Sequence, residues 1–317
     1  MLTGRWAIGV DVGGTKIATA LVSEGGELTA RTAVPTPVAG GARAVLAAIE
    51  AQARHVAGQL ATGTVLVGLG IGTGGVVDHS RGVVLSATDL LPGWAGLALA
   101  DELGQRLGTR VYVDNDGNTL ALGEHRFGAG RGLRDVIYAT VGTGIGGGIV
   151  LGGRLRRGAS HSAGELGHVP APQAVCRRCS CGRTGHVEAA AAGPAMTDDY
   201  RRRSGDMTVC DLRVIAERAG EGDEVAAAVL AGGASTFGQA LAGLVNVVDP
   251  EAVVVGGGVA DIGQLFWAPM EEALRESTLP GPSRVQLKPA LLGTAAPLVG
   301  AAMLAIDPEP EGNESPW

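Results

Sequence analysis

Apolar residues in the first third of the chain fall into short runs separated by glycine-rich turns. Helical spacing of apolar residues extends over 40–60 and again over Leu97–Leu107, and the apolar run Val65–Gly72 between them is typical of a buried strand. Alternating strands and helices predict a covered, largely parallel sheet. Three earlier runs have the length of strands and predict a meander: Trp6–Val10, Lys16–Val22 and Glu27–Ala33.

The second part of the chain repeats this pattern from about residue 114. Strands are predicted at Asp135–Gly142 and Ile145–Leu151 with a glycine-rich turn between them, which indicates a duplicated nucleotide-binding half. Helices are then expected from Glu188 to Val248, broken by the polar stretch Asp198–Asp206. A strand at Ala252–Val255 follows them. The tail 307–317 is rich in Pro and Glu and is expected to be disordered.

Composition narrows the possible partners. The 317 residues carry a net charge of −7, and aromatic side chains make up only 3% of them, so neither nucleic acid nor an anionic membrane is an expected partner. The longest uncharged run, Pro289–Ile306, is interrupted by Gly and Pro and is predicted to be a buried helix rather than a membrane span. No secretion signal opens the chain, and a cytoplasmic location is expected.

Three glycine-rich turns could hold phosphate groups. Main-chain N–H groups in such turns can point at phosphate oxygens, and Asp11 would then face the metal-bound phosphates, although an ordinary hairpin turn would have the same sequence. None of the turns has the spacing of a P-loop or of a dinucleotide-binding fingerprint. The nucleotide-binding residues predicted from these turns are Asp11, Gly13, Gly14, Thr15, Lys16, Gly142, Thr143, Gly144, Gly256, Gly257 and Gly258.

A carboxylate suited to catalysis follows the predicted strand Val111–Val113. Asn115 and Asp116 would project from the end of this strand, where open α/β sheets bind ligands. An Asp within reach of a hydroxyl can act as the base for phosphoryl transfer. Asp116 could instead cap the helix predicted at Asn118–Phe127, and Asp114 competes with it for the catalytic role.

Cysteine and histidine residues cluster in the middle of the chain. His168, Cys179, Cys181 and His186 offer four nitrogen and sulfur ligands, the number that a structural zinc site requires. Cys176 could take the fourth position in place of His186, and a reduced loop without metal is the alternative to a zinc site.

Five arginines form a local basic patch. A solvated loop is the favoured interpretation, and steering of phosphate is the second. The residues are Arg131, Arg134, Arg154, Arg156 and Arg157.

Taken together, the motifs from about Ile8 to Ile306 resemble the ROK family of sugar kinases and sugar-responsive repressors, and in particular its bacterial glucokinases. The resemblance implies an actin-like, ribonuclease-H-like α/β fold of two domains closing on a cleft. The domains are expected at 1–115 plus about 303–317, and at 116–302. A homodimer or homotetramer is also expected. The motifs are DVGGTK (11–16), DNDGN (114–118), VGTGIGGGIV (141–150), GELGH (164–168), CSCGRTGHVE (179–188) and VVGGGVA (254–260).

The resemblance also implies an activity and a site. It implies ATP-dependent phosphorylation of a hexose, glucose to glucose 6-phosphate first, with Mg²⁺, a structural Zn²⁺ and Asp116 as the catalytic base. One member of the family's zinc ligand set is Cys where this chain has His186. The residues expected to contact the sugar are Gly75, Asn115, Asp116, Glu165, His168 and Glu188.

Two departures from the family pattern keep the sugar open. The chain has TGGVVD at 73–78 where family glucokinases commonly have PGPVD, and DLLPGW at 89–94 where they have PNIPGW. Leu90 therefore replaces the usual Asn, and Asp89 could supply the missing contact. Mannose, fructose, allose and N-acetylhexosamines remain alternatives to glucose.

Other functions are also considered. A sugar-sensing regulator is disfavoured because only ten residues precede Asp11, which leaves no room for the helix-turn-helix domain of family repressors. A sugar-binding protein without chemistry is the third possibility. Polyphosphate is an alternative phosphoryl donor.

Overall fold

The computed structural model describes residues 4–87 and 91–308, which contain twelve strands and nine α-helices. The strands are β1 (Arg5–Val12), β2 (Lys16–Ser23), β3 (Leu28–Pro35), β4 (Val65–Thr73), β5 (Val76–Asp78), β6 (Val83–Ser86), β7 (Val111–Asn115), β8 (Val136–Val141), β9 (Ile145–Leu151), β10 (Arg154–Arg156), β11 (Ala252–Gly256) and β12 (Gln286–Pro289). The helices are α1 (Gly41–Ala57), α2 (Leu99–Leu107), α3 (Asp116–Phe127), α4 (Glu188–Ala191), α5 (Gly193–Ser204), α6 (Leu212–Gly220), α7 (Glu224–Val248), α8 (Gln264–Ser277) and α9 (Ala296–Ile306).

The described chain divides into two compact units. Unit 1 contains the residues up to Gly132, the segment Leu155–Ala163 and the residues from Leu291 onward. Unit 2 contains Leu133–Arg154 and Gly164–Ala290. The chain therefore leaves unit 2 for nine residues in its middle and returns to unit 1 at its end.

The sheet of unit 1 has the strand order β3-β2-β1-β4-β7. Strands β1, β2 and β3 form the predicted antiparallel meander, and β4 and β7 extend it in parallel with β1. Buried side chains of α1 and α2 pack with the sheet in one hydrophobic cluster, and α9 contributes to another with β1 and β2. Helices thus cover a largely buried sheet, as the alternation of elements predicts.

The second five-stranded sheet repeats the topology of the first. Its order is β10-β9-β8-β11-β12, with β8 and β9 antiparallel and with β11 and β12 parallel to β8. The hairpin β8–β9 corresponds to β1–β2, and each hairpin contains one of the glycine turns. The predicted duplication is therefore present in the strand order itself. Helices α4 to α8 supply most of the buried cluster that packs against this sheet.

The limits of unit 1 differ from the domain limits that the sequence suggests. Helix α3 and residues 291–302 lie in unit 1 rather than with the second domain. The physical reason is the close packing of α3 against α9, which also lies against β1 and β4. The sequence pattern locates these helices but does not show that they are packing partners.

Glycines allow α9 to approach its neighbours at main-chain distance. A Cβ built on Gly300 would lie 1.7 Å from the carbonyl oxygen of Thr119 in α3, and one on Gly70 would lie equally close to that of Ala301. No side chain fits at such distances, so these positions require Gly.

We expect Gly300→Ala to destabilise the protein by about 3 kcal/mol or more, because backbone must move to admit the methyl group. Urea unfolding followed by circular dichroism measures the loss. Gly243→Ala is the matched control, since Gly243 is exposed in α7 with open space around it and should gain up to about 1 kcal/mol from helix propensity. Equal unfolding midpoints for the two variants would contradict the expectation.

Helix α5 differs from the sequence prediction, and the length and composition of α7 are a separate finding. Helix α5 runs through most of the polar stretch predicted to break it, because Asp198 and Asp199 pair with arginines three residues later and Gly205 then ends the helix. In the described part of the chain, α7 is long and apolar enough to cross a membrane by length and composition, and 56% of its most apolar window is buried inside the protein.

Candidate active site and metal centre

Asp114 lies near the carboxyl end of β7 and accepts hydrogen bonds in a buried polar network. Its side chain is 1% exposed, and its Oδ1 accepts hydrogen bonds of 2.8 Å from the Asn115 amide and from the Asn118 side chain. Its Oδ2 accepts a 2.8 Å bond from Nε of Arg157. Because both oxygens are engaged and buried, Asp114 is a structural residue and does not compete for catalysis.

Asn115 is the N-cap of α3. Its Oδ1 accepts from the amides of Gly117 and Asn118, and its Nδ2 donates to the carbonyl oxygen of Gly75 at 2.9 Å. Asn115 therefore joins the start of α3 to the turn between β4 and β5. The capping role that the sequence allows for Asp116 belongs to Asn115 instead.

Asp116 is the first residue of α3, and the residue as a whole is exposed. Oδ1 accepts a 2.8 Å bond from the Gly117 amide. Protein atoms surround the carboxylate closely enough that desolvation raises its pKa, while the backbone hydrogen bond opposes the shift. Asp116 is exposed, its position at the start of α3 is fixed, and it does not cap the helix. Its carboxylate is therefore suited to accept a proton.

The first glycine turn connects β1 and β2 in unit 1. The Gly13 amide donates to the carbonyl oxygen of Lys16, and the Thr36 hydroxyl donates to the carbonyl oxygen of Gly13 at 2.7 Å. Thr15 and Lys16 are exposed. Burial and the negative charge of Asp116 raise the pKa of Asp11 to about 6, although Lys16 partly offsets them. The turn is thus an ordered hairpin, and the pKa of its acidic residue, Asp11, depends on the charge of Asp116.

The second and third glycine turns meet in unit 2. The Val259 amide donates to the carbonyl oxygen of Val141, and a Cβ on Gly257, whose φ is +95°, would lie 2.4 Å from that oxygen. A pocket of about 790 Å³ opens beside them, and Gly142, Thr143 and Gly258 line it. Gly144, Gly256 and Gly257 are not among the residues that line it. Its charged lining residues, which the sequence motifs do not reveal, are Asp198, Arg201, Asp211, Arg213, Glu217 and Asp261.

Glu188 links the second glycine turn to the cysteine loop. Its Oε2 accepts a 2.9 Å bond from the Ile145 amide, and its Oε1 accepts one of 2.5 Å from the Ser180 hydroxyl. A carboxylate has about four lone-pair sites, so these bonds leave acceptor capacity for a ligand.

Glu165 and His168 lie together in the GELGH segment. Nε2 of His168 is 3.6 Å from Oε2 of Glu165, and both side chains are about one-third exposed. Gly167 brings this segment against β9, since a Cβ there would lie 2.3 Å from the carbonyl oxygen of Ile145. The structure therefore places Glu165, His168 and Glu188 around one hairpin of unit 2, and Asn115, Asp116 and Gly75 together in unit 1.

The four predicted metal ligands come together. The ligand atoms of His168, Cys179, Cys181 and His186 all lie within 4.8 Å of one another. Two pairs, Cys179 Sγ to His168 Nδ1 and Cys181 Sγ to His186 Nδ1, are 3.6 and 3.3 Å apart. Sulfur and nitrogen ligands of one tetrahedral zinc ion would be ~3.5 Å apart, so the residues fit this ion.

The sequence left two alternatives open for this cluster, Cys176 as the fourth ligand in place of His186 and a reduced loop without metal. Cys176 is exposed and is not part of the group. Burial raises the pKa of the Cys179 thiol to about 11, and a bound cation would be needed to hold it as thiolate.

Arg157 corrects the interpretation of the basic patch. It was expected to lie on a solvated loop with its neighbours, but its side chain is only 13% exposed and pairs with Asp114. Asp89 and Leu90, where the chain departs from the family pattern, lie outside the described residues. Nearby, buried Trp94 donates to the Thr73 hydroxyl at 2.9 Å and holds the start of the TGGVVD segment.

Comparison with known proteins identifies the family. The profile of the ROK family matches residues 7–308, and the chain belongs to this family. A glucokinase of Streptomyces coelicolor is 36% identical over 321 residues, covering 96% of this chain and 98% of that protein. An N-acetylmannosamine kinase of Escherichia coli is 31% identical, covering 94% of this chain and 97% of that protein.

A solved structure has the same fold. The crystal structure of a ROK family glucokinase from Streptomyces griseus in complex with glucose and AMPPNP is 37% identical, with a TM-score of 0.82, covering 95% of this chain and 99% of that one. The predicted family and the actin-like α/β fold are thereby confirmed.

Proposed function

We propose that this protein is an ATP-dependent sugar kinase that converts glucose to glucose 6-phosphate. The observation that carries the proposal is Asp116, an exposed residue at the first position of α3 whose carboxylate is used neither as a cap nor in the buried network of Asp114. Glucokinase relatives that align over nearly the whole chain support glucose as the first substrate.

In the proposed reaction the sugar hydroxyl gives its proton to Asp116. The freed oxygen forms a bond to the γ-phosphorus of ATP, and the bond from that phosphorus to the β,γ-bridging oxygen breaks, so that ADP leaves. Oδ2 of Asp116 is the proton acceptor in this scheme, since Oδ1 already accepts a hydrogen bond from the Gly117 amide. Asp11 and the turn after it would face the Mg²⁺-bound phosphates.

The pocket of unit 2 favours ATP over polyphosphate as the donor. Four carboxylates and two arginines line it, so the charged side chains of the pocket carry a net charge of −2. Carboxylates can accept hydrogen bonds from ribose hydroxyls and an adenine amino group, whereas they would repel a chain of phosphates. We therefore assign this pocket to the nucleoside of ATP, with Thr143 and the adjoining main chain near its phosphates.

Glu165, His168 and Glu188 are the proposed sugar contacts of unit 2. Hydroxyl groups of a sugar need paired acceptors, and these three side chains offer them beside one hairpin. Zinc held by His168, Cys179, Cys181 and His186 would fix the cysteine loop and orient the His168 ring, and it would take no part in the chemistry.

The test is a coupled ADP-release assay with Mg-ATP against glucose, mannose, fructose, allose, N-acetylglucosamine and N-acetylmannosamine. We expect the highest kcat/KM with glucose. A higher value with N-acetylmannosamine would move the substrate toward that of the Escherichia coli relative. Absence of turnover on every sugar, with glucose binding still measurable by calorimetry, would overturn the kinase proposal in favour of a sensor.

The raised pKa of Asp11 predicts a pH-dependent affinity for Mg-ATP. Below pH 6 Asp11 is increasingly protonated and neutral, so the dissociation constant should rise as the pH falls through about 6. Titration calorimetry between pH 5 and 8 measures it. In Asp116→Asn the midpoint should shift to lower pH, because one cause of the raised pKa is removed. A midpoint unchanged by Asp11→Asn would contradict the assignment.

A cytoplasmic location and a homodimeric or homotetrameric state are also part of the proposal. The acidic net charge supports function away from nucleic acid and anionic membranes. Light scattering of the purified chain tests the oligomeric state.

A further inference from the structure

A buried ion pair joins two distant segments within unit 1. Nε of Arg157 donates to Oδ2 of Asp114 at 2.8 Å, and the side chains are 13% and 1% exposed. His79 lies on the same side, with its Nδ1 3.7 Å from that oxygen and bonded to the carbonyl oxygen of Val113. Burial makes the carboxylate dependent on this pairing, because an uncompensated buried charge is strongly unfavourable.

Asp114 in turn fixes the first turn of α3. Its Oδ1 holds the amide of Asn115 and the side chain of Asn118, the residues on either side of Asp116 and Gly117. Asp114, whose charge Arg157 neutralises, therefore holds the residues on both sides of the position from which the Asp116 side chain projects.

Arg157 belongs to the short segment that leaves unit 2 and joins unit 1. The segment is closed at its base, since the Ala163 amide donates to the carbonyl oxygen of Arg157 at 2.9 Å. Gly164 and Glu165, the start of the proposed sugar-binding segment, follow immediately. The ion pair thus anchors the segment Leu155–Ala163 within unit 1.

We propose that Arg157 is a positioning residue for phosphoryl transfer, acting through Asp114 to set the position of Asp116. This inference rests on the proposed kinase function. Misplacing a catalytic group by about 1 Å can lower a rate about 100-fold. Loss of Arg157 should therefore lower kcat about 100-fold and leave the KM for Mg-ATP within about threefold, since the proposed nucleoside pocket belongs to unit 2.

The experiment compares Arg157→Ala with Arg154→Ala in steady-state kinetics at fixed ionic strength. Arg154 is an exposed arginine of β10, three residues away, and its variant should keep the wild-type kcat. Guanidinium ion added at low millimolar concentration should raise the kcat of Arg157→Ala at least tenfold. Sodium chloride at the same concentration is the control. If Arg157→Ala does not fold, Arg157→Lys is measured and should lose at least tenfold in kcat.

The outcomes separate this inference from the proposed function. A wild-type protein without activity on any sugar overturns the kinase function itself. An active wild type with unchanged kcat in Arg157→Ala, or in Arg157→Lys when only that variant folds, overturns the positioning role alone. Equal losses in Arg154→Ala, a loss confined to the KM for Mg-ATP, or no response to guanidinium also overturn it.

Discussion

Asp116→Asn is expected to lower kcat about 1,000-fold, within the range of 10²–10⁴ usual for loss of a general base. The amide has the size of the carboxylate, and its oxygen can still accept the hydrogen bond from the Gly117 amide. It cannot accept a proton from a sugar hydroxyl. Binding of glucose should therefore persist while transfer stops.

The measurement pairs ADP release with calorimetric titration of glucose into the same preparations. Asp101→Asn provides the matched control, because Asp101 is also an exposed Asp in the first turn of a helix, α2, and has no proposed role. Turnover in Asp116→Asn within tenfold of the wild type would remove Asp116 as the base. Complete loss of glucose binding would instead make it a binding residue.

Local sequence signals predict the elements and the internal repeat well. Glycine turns flanked by apolar runs define the hairpins β1–β2 and β8–β9, and the two sheets built on them share one strand order. Close spacing along the chain likewise predicts the cluster of four potential metal ligands, three of which lie within Cys179–His186. These features depend on residues near one another in sequence, which is the range over which patterns carry information.

Long-range pairings could not be predicted in the same way. Arg157 lies 43 residues from Asp114 and directly follows two exposed arginines, Arg154 and Arg156, so nothing in its sequence surroundings distinguishes a buried ion pair from a solvated side chain. The packing of α3 on α9 joins segments much farther apart in the sequence. Because of this packing, both helices belong to unit 1, which the sequence pattern did not predict. Charged residues of the 790 Å³ pocket belong to helices and turns without a shared motif.

The proposed role of Asp116 as the base rests on both kinds of information. Sequence alone allowed Asp114 as the base and Asp116 as the cap, whereas the hydrogen bonds assign Asp114 to a buried network and the cap to Asn115. Asp114, Asn115 and Asp116 are adjacent and equally polar, and they differ in burial: Asp114 is buried, Asn115 is intermediate and Asp116 is exposed.

Replacing Cys179 and Cys181 together with Ser is expected to abolish zinc binding and to lower kcat/KM for glucose about 10- to 100-fold, as losses in the surroundings of a bound metal do. The loop that carries these residues has no helix or strand longer than a 3-10 turn in the described chain between His168 and Glu188. Backbone hydrogen bonds and isolated bridges hold it, and four bonds to a metal would add to that support. Glu188 accepts a hydrogen bond from Ser180 in this loop and another from the Ile145 amide. Loosening the loop should therefore disturb the proposed sugar contacts.

Zinc content measured by inductively coupled plasma mass spectrometry tests this directly, together with kinetics and the melting temperature. The wild type should hold about one zinc per chain and the double variant almost none. Cys176→Ser is the matched control, because Cys176 is an exposed thiol of the same loop that lies outside the ligand group. If Cys176→Ser loses zinc while His186→Ala retains it, Cys176 is the fourth ligand. Wild-type protein that binds no zinc from a metal-supplemented buffer would leave the four residues as a reduced, metal-free cluster.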